Sequence, residues 1–289
     1  MKQTTSGRIE LFIAAILWGT SFFMMKNTVE SVPPALLLAI RFAIGAVALT
    51  LISGKKLLSV TAKQVAKIAF IALFLSAACI VQTMGLVDTT PGKNAFLTSI
   101  YCILVPFLLW IVVRKRPKAK SFVAATVCLI GIALVSLDGD LSIRYGDKMT
   151  LLSGLLFAGQ IVAVELMTGD IDPLPLSALQ FSFAAVYCYT AHRVMEPSVA
   201  LMQVPREVLI GLVFLGLFPT ACSYTFQIIG QKKVSANTAA LILSLESVFG
   251  VLASVLFFGE VLTARLVLGF AVIFLGVVIS ETDILRFLR

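Results

Sequence analysis

Apolar residues run along this chain in blocks of about twenty, separated by short stretches that carry charge, proline or glycine. Blocks of that length match a bilayer, because a helix rises about 1.5 Å per residue and the hydrocarbon core is about 30 Å thick. The pattern predicts ten spans, near residues 9–27, 34–53, 65–87, 94–113, 120–137, 149–168, 175–192, 207–229, 236–258 and 264–281. All are expected to be helices: an open strand edge cannot be satisfied in lipid, and the alternation of a barrel strand is absent. The first block follows Lys2 and Arg8 as a signal peptide would, but it is long, lacks an A-x-A-like cleavage site and precedes nine further spans. It is read as a retained span.

Composition agrees. The chain has 289 residues, 59% hydrophobic and 13% charged, with a mean hydropathy of +1.02, which excludes a water-soluble domain of this size. A net charge of +8 would suit nucleic acid if it lay on one face of a soluble fold. Here the basic residues flank the spans, so membrane topology explains them and no nucleic-acid partner is expected. With the N-terminus inside, the cytoplasmic side carries Lys2, Arg8, Lys55, Lys56, Lys63, Lys67, Arg114, Lys115, Arg116, Lys118, Lys120, Lys232, Lys233, Arg286 and Arg289. The other side carries Lys26, Arg41, Lys93, Arg144, Lys148, Arg193, Arg206 and Arg265, a split of 15 to 8. This predicts a multi-pass inner-membrane protein with both termini cytoplasmic, although the loop 168–174 has neither Lys nor Arg. Cys79, Cys102, Cys128, Cys188 and Cys222 all lie inside apolar blocks and form no C-x-x-C pair, so they read as small buried residues.

The two halves of the chain repeat. A shift of 139 residues places Trp18 on Phe157, Pro34 on Pro173, Phe42 on Phe181 and Ala46 on Ala185. A shift of 145 places Gln82 on Gln227, Gly85 on Gly230, Ala95 on Ala240, Ser99 on Ser244, Val127 on Val272 and Gly131 on Gly276. The difference is absorbed near Glu196-Pro197 and Pro205-Arg206. The repeats are expected at 1–140 and 141–289, five spans each. An odd number of spans turns the second copy over, and inverted repeats serve alternating access around a site near the midplane.

Polar residues inside spans are expensive unless they face a partner or a wet cavity. On span 4, Asn94, Thr98, Tyr101 and Cys102 share one face of a continuous helix, which predicts a cavity-lining stripe, with close helix packing as the alternative. On span 9, Ser244, Ser247, Gly250 and Ser254 form a small-residue stripe, and Glu246 lies about 15 Å from either end. A carboxylate at that depth can bind a substrate amine or carry a coupling proton, or it can hold neighbouring helices. Its counterpart by the 145 shift is Tyr101. Gln82 and Gln227 are repeat mates, as are Ser21 with Gln160 and Lys26 with Glu165. Trp18, Phe22, Tyr101 and Tyr224 are aromatic at cavity depth. Arg41 lies about 10 Å inside span 2, with outward snorkelling, Glu30 or a substrate carboxylate as its possible solutions; Lys26 and Glu165 are expected to snorkel. Pro106 and Pro219 permit kinks.

Catalysis finds little support. His192 stands alone without metal-ligand spacing, and there is neither a phosphate-binding G-x-x-x-x-G-K-[S/T] loop nor a D-x-x-D pair in an apolar span. No metal and no cofactor are expected, and the chain is not expected to be an enzyme.

Several segments carry a family resemblance: Ala15-Ile-Leu-Trp18-Gly19-Thr-Ser21-Phe, Arg41-Phe42, Pro91-Gly-Lys-Asn94-Ala95-Phe-Leu-Thr98-Ser99, Ala236-Asn-Thr-Ala-Ala240, Leu245-Glu246-Ser-Val-Phe249, and Phe258-Gly259-Glu260 leading to Leu268-Gly269 and Leu275-Gly276. Through them the chain resembles the drug/metabolite transporter superfamily, in its ten-span EamA type. Two features depart from that pattern. Ser247 stands where the family commonly has proline after Glu246, which predicts a span 9 without that break, and only the second repeat keeps Gly259-Glu260. The resemblance implies export, less often import, of small metabolites such as amino acids, bases or amphipathic cations, by proton exchange or facilitated movement.

The expectation is therefore an all-α membrane protein of two inverted five-helix repeats. Its first predicted function is export of neutral or aromatic amino acids. Amphipathic cations, drugs or bases are the alternative cargo, and a membrane-embedded enzyme or non-transporting receptor is the alternative of another class. The predicted substrate-binding set is Trp18, Gln82, Asn94, Thr98, Ser99, Tyr101, Gln160, Tyr224, Gln227, Ser244 and Glu246, with Glu246 also the coupling candidate. The expected partners are a small-molecule substrate, membrane lipid and protons.

Overall fold

The computed structural model describes residues 2–114, 116–136, 143–196 and 204–281. The Lys2 side chain, Lys115, Pro197, Arg286, Arg289 and the 140/141 repeat boundary lie outside the described residues.

In chain order the helical segments are α1 (Thr4–Val29), broken at Thr20 and Ser21, and α2 (Pro34–Ser53), extended by a 3-10 turn over Gly54–Ser59. There follow α3 (Ala62–Val87), α4 (Pro91–Val113), α5 (Ala119–Ser136), α6 (Tyr145–Met167) and α7 (Pro173–Met195). The last are α8 (Arg206–Gln231), α9 (Ala236–Phe258) and α10 (Ala264–Glu281). Seven of these, α1 to α4, α6, α8 and α9, are long and apolar enough to cross a membrane, and shorter apolar runs occupy Ala119–Val135 in α5 and Ala264–Ile279 in α10. The remaining helix, α7, has 23 residues but carries Gln180, Tyr187, Tyr189, His192 and Arg193. No strand occurs among the described residues.

Local chemistry fixes the helix starts. Proline opens α2, α4 and α7 at a position whose backbone N–H has no partner in a helix. Thr90 and Ser235, repeat mates, cap α4 and α9 through their hydroxyls, and Thr61 with Gln64 forms a capping box at α3.

Contacts between helix ends fall into two sets. At one end, called here the Glu165 face, Lys56 pairs with Asp172 at 3.1 Å, Lys67 with Asp170 at 3.6 Å and Lys233 with Glu10 at 2.5 Å, while Lys232 donates to the Ile171 carbonyl. The loop 168–174 thus supplies acidic partners to basic residues of neighbouring segments, which accounts for its lack of Lys and Arg. The Gln64 amide holds the Asp170 carboxyl below its usual value. Burial pushes the Lys232 ammonium down, opposed by Asp172. At the opposite end, the Glu260 face, Lys93 pairs with the fully buried Asp147 at 2.6 Å. Glu196 accepts from the Ala35 and Leu36 backbone N–H groups at 2.7 and 3.1 Å and pairs with His192 Nδ1 at 2.9 Å.

Helix packing puts α2 on α7, α5 on α10, α3 on α6, and α1 on the second half of α8. Phe42 stacks on Phe181 with centroids 5.8 Å apart, and Cys128 Sγ donates to the Ile273 carbonyl at 3.4 Å. Two crossings are too close for any side chain. A Cβ on Gly85 would lie 2.7 Å from the Gly146 carbonyl, and one on Gly230 would lie 2.9 Å from that of Gly7. Small residues of this kind let helices approach where lipid supplies no hydrophobic drive.

The outward snorkelling allowed for Arg41 does not occur. Lys26 reaches the exposed end of α3, where its ammonium binds the Leu86 and Val87 carbonyls, both at 2.8 Å. Glu165 turns onto the start of α9, where it accepts from Ala236 N–H, because four backbone donors at a helix start need partners. Arg41 is buried, and its guanidinium binds the Thr220 hydroxyl, Met25 Sδ at 2.9 Å and the Pro219 carbonyl at 3.4 Å.

Candidate functional site

Both α4 and α9 are interrupted at equivalent positions. α4 consists of Pro91–Thr98 and Tyr101–Val113, and the first two parts of α9 are Ala236–Leu243 and Glu246–Ala253. In α4 the backbone N–H groups of Ile100, Cys102 and Ile103 reach back only three residues, to Leu97, Ser99 and Ile100. In α9 those of Leu245, Ser247 and Val248 do the same, to Ile242, Ser244 and Leu245. These positions correspond one to one by the 145 shift. The absence of proline at 247 therefore did not abolish the break. Ser99 and Ser244 hydroxyls instead bond the carbonyls of Phe96 and Leu241, both at 2.7 Å, and tight turns replace the α ladder. Tyr101 and Glu246 are the first residues beyond the two breaks.

A third irregularity faces them. Around Pro219 the helix α8 widens into a π-turn over Gly216–Cys222, since proline has no N–H to give. The Pro219 carbonyl accepts from Trp18 Nε1 at 2.7 Å as well as from Arg41. π-turns inside α-helices recur at functional sites.

Between these features lies a cavity of about 40 Å³. Its wall is built largely of repeat mates: Trp18 with Phe157, Ser21 with Gln160, Phe22 with Ile161, Gln82 with Gln227, and Tyr101 with Glu246. Met25, Arg41, Tyr224 and Leu243 complete it. The Trp18 and Tyr224 rings lie 4.6 Å apart, and Phe157 meets Tyr101 edge-on at 6.5 Å. Gln227 donates to Gln160 at 3.0 Å, and Gln82 to Thr98 at 3.1 Å. Two buried polar atoms of this wall, Gln160 Nε2 and Gln227 Oε1, have no hydrogen-bond partner among the described residues. Leaving such an atom unpaired costs about 1–3 kcal/mol. One water needs roughly 10–15 Å³, so the cavity as it stands holds a few waters and no organic molecule.

Of the residues singled out from sequence, Trp18, Gln82, Tyr101, Gln160, Tyr224, Gln227 and Glu246 meet at this cavity. Asn94, Thr98, Ser99 and Ser244 are not in its wall. Asn94 is fully buried and donates to the Gln82 carbonyl at 3.2 Å and the Thr150 hydroxyl at 2.8 Å, and Thr98 receives the Gln82 amide. The stripe presumed one continuous helix, and the break at Ser99 and Ile100 turns the second half away from the first. Phe157 and Ile161, ordinary apolar residues by sequence, join the wall as the mates of Trp18 and Phe22.

This architecture has counterparts. The model of the EamA-like transporter family matches residues 5–137 and again 144–282. The chain belongs to that family. As an EamA-like transporter it is a multi-pass membrane protein with a small-molecule substrate. An uncharacterized transporter of Archaeoglobus fulgidus is 28% identical over 93% of this chain and 83% of its own length. The uncharacterized transporter YwfM of Bacillus subtilis is 26% identical over 93% of this chain and 91% of its own length. A solved crystal structure superposes with a TM-score of 0.72 over 99% of both chains at 19% identity, a likeness of fold alone.

Proposed function

We propose that this transporter is a proton-coupled secondary carrier that exports a neutral or aromatic amino acid by alternating access. Its ten helices cross the inner membrane as two inverted repeats, 1–140 and 141–289, with the Glu165 face and both termini in the cytoplasm. One observation carries the reading: five pairs of repeat mates converge on a single cavity that also holds a buried carboxylate and a buried guanidinium. Further support comes from residues that touch their own mates, Phe42 on Phe181, Cys79 on Tyr224 and Cys128 on Ile273, as residues on a two-fold axis must. The two glycine crossings are images of each other under the same shifts, Gly85 with Gly146 and Gly230 with Gly7. The double family match supports the duplication.

In this reading Arg41 receives the substrate carboxylate, Glu246 receives the ammonium or the returning proton, and Trp18, Phe22, Phe157 and Tyr224 pack the side chain. Two carboxylates close the routes. Glu165 clamps the start of α9 on one face, and on the other Glu260 accepts from Thr90, Ser254 and, at 3.0 Å, Gly92 N–H at the start of α4. With both clamped, the cavity is too small for cargo, and releasing one opens one side.

The test is counterflow in proteoliposomes with labelled phenylalanine, leucine and a quaternary amine. Saturable exchange of the amino acids supports the proposal, and no exchange of any of them overturns it. The aromatic wall beside Glu246 favours a second reading, an amphipathic cation, which wins if only the amine exchanges.

A further inference from the structure

Away from the central cavity, a cleft of about 600 Å³ opens at the Glu165 face between the ends of α4, α5, α6 and α9. Arg116 and Lys118, just before α5, and Lys120 in its first turn line it together with Thr238 of α9. Its floor is apolar, formed by Pro106, Leu109 and Val113 of α4. Among the described residues its wall carries three basic side chains to one carboxylate, Glu165, which accepts from the Ala236 N–H.

A second groove, about 530 Å³ and lined by apolar residues of α3, α4 and α6, begins where this cleft ends. The two share Leu166, and successive residues of α4 serve them in turn: Leu108 and Val112 line the groove, Leu109 and Val113 the cleft. Phe70, Val112, Leu155 and Leu166 are all exposed on the molecule's surface. In a multi-pass membrane protein such residues face acyl chains. A basic cleft continuous with an apolar groove matches the two parts of one molecule, an anionic head and a hydrocarbon tail.

We infer that this joined surface is a binding site for an anionic phospholipid, with the phosphate held by Arg116, Lys118 and Lys120 and an acyl chain laid along the groove past Leu166. A free anion would need the cleft and not the groove; a neutral lipid would need the groove and not the three cations. Basic pockets between helices bind anionic headgroups, and the cytoplasmic leaflet is where those lipids concentrate. The head would sit beside the start of α9, where Glu165 holds Ala236, so its presence braces that helix end. The site is independent of what the central cavity carries.

The experiment compares purified protein in nanodiscs of phosphatidylcholine alone and with one third phosphatidylglycerol, reading the thermal midpoint and the phosphatidylglycerol retained through detergent extraction. The expected result is a higher midpoint and selective retention with phosphatidylglycerol. Retention should fall roughly fivefold for each charge removed in Arg116→Ala, Lys118→Ala and Lys120→Ala variants. The charge-conserving Lys118→Arg/Lys120→Arg variant should keep it, which separates lost binding from lost folding. Leu166→Trp, which blocks the groove, should also reduce it. Equal midpoints in the two bilayers, retention unchanged in the triple alanine variant, or the same stabilisation from inorganic phosphate in pure phosphatidylcholine would each overturn the assignment.

Discussion

Glu246 and Arg41 are the two charged side chains in the wall of the central cavity, each only 4% exposed. A buried charge persists only with partners. Arg41 is held by Thr220, Met25 and the Pro219 carbonyl, which aim its fork. Replacing it with Lys keeps the charge and loses the planar fork, so Arg41→Lys should raise the KM for exchange about tenfold with folded yield intact. Equal KM values in a counterflow assay would remove Arg41 from the substrate contact. Glu246→Gln keeps shape and hydrogen bonding while removing charge. Exchange by that variant should lose its dependence on a pH gradient, and drop by about 10- to 100-fold if the carboxylate also holds an ammonium. A variant that still follows the gradient would leave Glu246 a purely structural group.

At the scale of elements, the all-helical class and the apolar segments were legible because hydropathy reports length directly, whereas the breaks were not. Proline is the usual cue for an interrupted helix, and at Ser99 and Ser244 the interruption comes from i−3 turns with serine back-bonds, residue types equally common in unbroken spans. That is why Asn94 and Thr98 looked like neighbours of Tyr101 on one face. The repeat shifts, by contrast, carried three-dimensional information, since Tyr101 with Glu246 and Gln82 with Gln227 meet at one cavity. The helix crossings test the packing. Gly85→Ala forces a Cβ against the Gly146 carbonyl and should lower stability by about 1–3 kcal/mol, while Gly169→Ala, in open space, should be nearly silent in the same thermal melts. The clamps test the gates. Glu165→Gln and Glu260→Gln should raise thiol labelling of a Ser21→Cys cavity reporter from opposite sides of the membrane. Increases from the same side in both variants would remove the carboxylates from gating.

At the scale of the whole molecule, the proposed two-fold exchange of halves would constrain the motion as well as the resting shape. If one repeat adopts the other's conformation while its partner does the reverse, every distance that grows on one face has a mate that shrinks on the other. Ala62 and Ser235 lie on the Glu165 face at the starts of α3 and α9. By the 145 shift their mates are Glu207 and Thr90, on the Glu260 face at the starts of α8 and α4. Spin labels on the pair 62 and 235 should therefore report a distance distribution complementary to that of the pair 90 and 207. A condition that lengthens one, such as a pH step or added substrate, should shorten the other, and in the Glu246→Gln variant the pH step should move neither. Distances that lengthen together would describe a pore opening at both ends, and the inverted repeat would then be an ancestry without a mechanism.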